Sequence, residues 1–70
     1  MIQIVVNGQK EVFQEGTLLS DVLRTRKISA GSARGIAVAL NDRIVRKTDW
    51  DSRIVETGAN IEIVTARQGG

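Results

Sequence analysis

Cysteine and histidine are both absent from the sequence. Without cysteine there is no disulfide and no thiolate nucleophile. Without histidine the chain lacks the commonest acid–base catalyst and metal ligand. The eight carboxylates show no metal-ligand spacing. Asp42, Asp49 and Asp51 are close in sequence, but the last two flank Trp50 and read as a solvated turn. No glycine-rich phosphate loop is present. No metal, no permanently bound cofactor and no enzymatic activity of the chain by itself are therefore expected. The aromatics reduce to Phe13 and Trp50, and both read as structural. The basic groups Arg24, Arg26, Lys27 and Arg43, Arg46, Lys47 thus lack the interleaved stacking residues of a nucleic-acid surface, and no nucleic-acid partner is expected. No apolar run is long enough for a membrane span. The start Met1-Ile2-Gln3-Ile4 lacks the basic and apolar regions of a signal peptide, so the expected compartment is the cytoplasm, with no membrane partner.

What is present suits one small folded domain. Apolar residues make up 41% and charged residues 26% of 70 residues, with a net charge of +2, a balance unlike that of a disordered chain. Ile2, Ile4 and Val6 alternate with Gln3 and Val5, the period of a strand with one inner face. Asn7-Gly8 follows, and both residues tolerate the positive φ of a tight hairpin. Lys10 to Gln14 reads as the returning strand, with Val12 or Phe13 turned inward. Gly16 breaks the pattern, and Thr17 is the expected N-cap of a short helix. Leu19, Val22 and Leu23 fall at i, i+3 and i+4 on one helix face. That helix should end near Arg26 or Lys27, where cations complement its dipole. Residues 29–35 form a small-residue loop.

Ile36 to Leu40 is the third strand, with Ile36, Val38 and Leu40 on one face and Ala37 and Ala39 on the other. Asn41-Asp42 is a turn, and Ile44-Val45 begins a short fourth strand. Lys47 to Asp51 reads as a turn or a single helical turn pinned by a buried Trp50. Ile61 to Thr65 is the last strand, with Ile61 and Ile63 inward and Glu62 and Val64 outward. The order β-β-α-β-β-β leaves one helix to cover one face of a mixed sheet. The first and last strands are the most hydrophobic, so they are expected side by side, parallel and central. That is an α+β architecture, the ubiquitin-like β-grasp: a five-stranded mixed sheet with one helix packed on one face. The expected division is a β-grasp domain over residues 1–66 and a flexible tail over residues 67–70.

The tail, Arg67-Gln68-Gly69-Gly70, carries the chemistry. Glycines have no Cβ, so a partner's backbone and a nucleotide phosphate can approach closely. A diglycine arm can thread into a narrow active site and present its carboxylate there. With Ile4-Val5-Val6-Asn7-Gly8, Gly16-Thr17, Leu40-Asn41-Asp42-Arg43-Ile44-Val45, Lys47-Thr48-Asp49-Trp50 and Gly58 to Ala66 before the diglycine, the whole chain resembles the ThiS family of sulfur carrier proteins of thiamine biosynthesis. Arg46 stands where that family commonly has proline, and Lys47 where it commonly has arginine.

The resemblance implies a mechanism. An E1-like adenylyltransferase consumes ATP to form a transient acyl-adenylate on Gly70. Sulfur from a donor such as a cysteine desulfurase then displaces AMP, leaving a thiocarboxylate that passes sulfur to thiazole synthase. The partner surface is expected on the sheet face opposite the helix, with Val5 and Val64 at its centre, Ala37 and Ala39 bordering it, and Arg43, Lys47 or Arg67 as a charged rim. Three other readings of the same fold and tail stay open: the small subunit of molybdopterin synthase, a ubiquitin-like protein modifier, and a non-covalent interaction module.

Overall fold

The alternating segments form the expected sheet. The computed structural model describes residues 1–32 and 34–65. Strands β1 (Ile2–Val6), β2 (Gln9–Phe13), β3 (Ile36–Leu40), β4 (Arg43–Ile44) and β5 (Asn60–Thr65) form one sheet in the order β2-β1-β5-β3-β4. β5 is central and runs parallel to β1, while β2, β3 and β4 pair antiparallel with their neighbours. Helix α1 (Leu19–Arg24) supplies Leu19, Val22 and Leu23 to the core. They meet Ile2, Ile4, Val6, Val38 and Ile61 from the inner face of the sheet.

Both hairpin turns follow from side chains that tolerate left-handed backbone. Asn7 and Gly8 have φ of 50° and 84°, and Asn41 and Asp42 have φ of 51° and 69°, as two-residue type I′ connections require. The second turn fixes the pairs Leu40–Arg43 and Ala39–Ile44. β4 thus begins at Arg43, one residue before the expected start, and Ile44 shares the outer face with Ala39. Val45 is the residue that turns inward: it is buried, and its N–H donates to the Val38 carbonyl at 2.9 Å. Of the two inward candidates on β2, Phe13 packs against the core and Val12 is exposed.

The helix begins one residue later than expected. Leu18, not Thr17, is its N-cap. The Thr17 hydroxyl instead donates to the Gln14 carbonyl at 2.6 Å. Free N–H groups at a helix start need acceptors, and here distant backbone provides them: Leu19 N–H donates to the Arg53 carbonyl and Ser20 N–H to the Trp50 carbonyl, at 2.8 and 3.0 Å. The Asp21 carboxylate accepts from Leu18 N–H at 3.0 Å, one half of a capping box. After Arg24 a closing turn follows. Lys27 N–H reaches the Arg24 carbonyl and Ile28 N–H the Leu23 carbonyl, with Lys27 at φ 61°. That is a Schellman stop with lysine where glycine is usual. Arg26 leaves the helix end altogether and forms a two-pronged ion pair with Glu11 on β2.

Trp50 is the largest fully buried side chain. It follows the 3₁₀ turn Lys47–Asp49, as the helical-turn reading of that segment expects. Its indole N–H donates to the Val45 carbonyl at 3.0 Å, which satisfies a polar atom that burial would otherwise penalise. The small-residue loop contains a further 3₁₀ turn at Ala30–Ser32.

Candidate functional site

The helix covers only one side of the sheet, and strand alternation decides what the other side shows. On the open face β3 presents Ala37 and Ala39, β5 presents Asn60, Glu62 and Val64, and β1 presents Gln3 and Val5. Val64 is 59% exposed and Ala37 is exposed, while Val5 and Ala39 are half-buried.

Register separates these residues into groups. Val64 lies opposite Ala37, and Glu62 opposite Ala39. Val5 lies opposite Asn60, four residues before Val64, or about 13 Å along the strand. Val5 and Val64 therefore share a face without touching as cross-strand neighbours. The contiguous apolar strip runs from Ile44 on β4 through Ala39 and Ala37 to Val64. Ile44 is 69% exposed, and the sequence reading of this face passed over it. The signal was available: a two-residue turn at Asn41-Asp42 forces Ile44 opposite Ala39, hence outward.

The charged rim expected from the sequence is not formed by Arg43, which lies opposite Leu40 and so shares the core-side face of the sheet rather than the face of the strip. A groove of about 480 Å³ is bordered by Arg43, Ile44 and Arg53. Among the described residues, ion pairs engage Arg24 with Asp21 and Arg26 with Glu11. Arg43, Lys47 and Arg53 have no such partner there. The tail residues Arg67, Gln68, Gly69 and Gly70 lie outside the described residues, as does the domain boundary expected after Ala66. β5 leads toward them, ending at Thr65 opposite Ile36. Among the described residues no group of acidic side chains is placed to hold a metal ion, and no helix is long and apolar enough to cross a membrane.

A single-helix, five-stranded β-grasp domain with an open sheet face defines the class. The chain belongs to the ThiS family, whose description matches residues 2–70, and it is a sulfur carrier of thiamine biosynthesis rather than an enzyme. Solved structures agree on the fold. The crystal structure of a thiamine biosynthesis protein (ThiS) from Geobacter metallireducens superposes with a TM-score of 0.79 at 22% identity, covering 99% of this chain and all (100%) of that one. The solution NMR structure of a thiamine biosynthesis protein from the same organism gives a TM-score of 0.73 at 22% identity, covering 99% and 88%. A search of curated proteins finds no match.

Proposed function

We propose that Gly70 is the working group of this carrier and that the folded domain serves to deliver it. A carboxylate is a poor electrophile. An E1-like adenylyltransferase joins it to AMP from ATP, releasing pyrophosphate, and the acyl-adenylate then carries a good leaving group. The persulfide of a donor such as a cysteine desulfurase attacks the acyl carbon and AMP departs, leaving an acyl disulfide. A second thiol, not of this chain, attacks the donor's sulfur of that disulfide, is itself oxidised to a disulfide with the donor, and releases the thiocarboxylate. Thiazole synthase takes that sulfur for the thiazole ring. The absence of cysteine suits this chemistry, because no internal thiol competes for the activated carbonyl.

The single observation that carries the reading is the ThiS-family match, which extends through the diglycine to residue 70. The strip Ile44, Ala39, Ala37 and Val64 is the surface on which the partner enzymes dock, with Val5 at its far side. Arg67 and Gln68 form the spacer that reaches from this surface into the partner's active site, and residues 67–70 act as a flexible arm. The test is deletion of Gly70, followed by ATP–pyrophosphate exchange with the adenylating enzyme. Exchange is lost while the circular dichroism spectrum and melting curve stay unchanged. A truncated chain that supports exchange at the full rate contradicts the proposal.

A further inference from the structure

β5 outruns its neighbour. Its register with β1 ends at Val6 opposite Ile61, yet β5 continues to Thr65. Beyond Ile61 the strand is held by β3 on one edge, while on the other edge β1 has turned away into the Asn7-Gly8 hairpin. In a parallel ladder the next rung would be an acceptor for the N–H of Ile63. Asn7 supplies it from its side chain. Its Oδ1 accepts from Ile63 N–H at 2.8 Å, while its own N–H donates to the Ile61 carbonyl at 2.9 Å. One turn residue thus makes two successive rungs, the second by a side chain standing in for a strand.

We propose that Asn7 is a positioning residue for the reactive terminus. Its side chain holds the overhanging end of β5 in the sheet, so that Val64 stays on the docking face and the tail departs from a fixed point at Thr65. This rests on the proposed function of Gly70. If the end of β5 lifts off, the partner loses an apolar contact and the arm it must capture becomes longer, which lowers the effective concentration of the terminus at the partner's active site. Asn41 makes a comparable bond at the other end of the strand, its Oδ1 accepting from Asn60 N–H at 2.9 Å, and so provides a control far from the tail.

The experiment uses three full-length variants. Asn7→Gly keeps the left-handed turn and removes the acceptor. Asn7→Asp keeps both. Asn41→Gly removes the matching bond at the start of β5. Amide exchange by NMR and the KM and kcat of adenylation are measured for each. In Asn7→Gly the exchange of Ile63 accelerates about fivefold, the worth of one net hydrogen bond, with Ile61 unchanged. Its KM for the adenylating enzyme rises at constant kcat, by less than that same factor of about five, because less of the carrier is in the competent form. Asn7→Asp restores both values, and Asn41→Gly leaves KM at the wild-type level. An unchanged KM in Asn7→Gly overturns the proposal, as does an equal rise in Asn41→Gly or loss of protection across the whole sheet. A wild-type chain that is not adenylated at all refutes the parent reading instead, while exchange at Ile63 still reports the clamp.

Discussion

Replacing Val64 by aspartate separates docking from folding. Val64 is 59% exposed, so its burial contributes at most ~1 kcal/mol to the fold, from a full value near 2 for valine. Aspartate in a strand costs up to about 1 kcal/mol more. The directly opposed residue is Ala37, so no like charge faces the new carboxylate across the pair. Together these predict a loss of about 1–2 kcal/mol, or roughly 5–15 °C in Tm for a domain of this size. Ile61 is the contrasting position on the same strand, with no exposed surface. Ile61→Asp removes a core side chain at about 2–5 kcal/mol and strands a carboxylate among apolar groups at several more. A 70-residue domain has only about 4–10 kcal/mol in total, so Ile61→Asp does not fold. Ile63, half-buried against the core, falls between the two. Thermal melts followed by circular dichroism rank the three. Titration of folded Val64→Asp against the adenylating enzyme and against thiazole synthase reads docking, with a tenfold or greater loss of affinity expected. A Val64→Asp chain that is unfolded like Ile61→Asp refutes the face assignment, and full partner affinity refutes the docking surface.

Ile44→Asp, at 69% exposure on the same strip, weakens partner binding comparably while shifting Tm by less than Ile63→Asp, as titration and melting will show. Trp50→Phe leaves the Val45 carbonyl without its indole donor and opens space in the core, which costs about 2–4 kcal/mol and is read as a large drop in Tm. Asp21→Ala removes the acceptor of Leu18 N–H and destabilises by about 1 kcal/mol. Thr17→Ala costs less, because its hydroxyl caps no helix N–H. Urea melts of the two variants side by side check the order.

The sheet was legible because one face of β1, β3 and β5 packs into the core, which ties sequence alternation to orientation. Ile2, Ile4, Val6, Val38 and Ile61 all point where their spacing requires. The Asn-Gly turn was legible from its residue types. The helix termini were not, because both depend on other parts of the chain or on an unusual residue. The start is capped by the carbonyls of Arg53 and Trp50, far along the chain. The stop places Lys27 in a conformation that sequence assigns to glycine. The outward side of Ile44 was deducible from the Asn41-Asp42 turn length, but a run Ile44-Val45 carries no alternation of its own to show it. The proposed reactive terminus is read from the diglycine of the sequence, which lies outside the described residues. Its geometric counterpart on the sheet needed the register, which separates Val5 from Val64 and joins Val64 to Ala37, Ala39 and Ile44.

The most direct test of the carrier chemistry is intact mass spectrometry of the full chain after incubation with ATP, the adenylating enzyme and a sulfur donor. The expected product has one oxygen replaced by sulfur, confined by fragmentation to Gly70 and absent when ATP is withheld. Attachment of the chain to a second protein through the same terminus, or an unchanged mass with all components active, contradicts it.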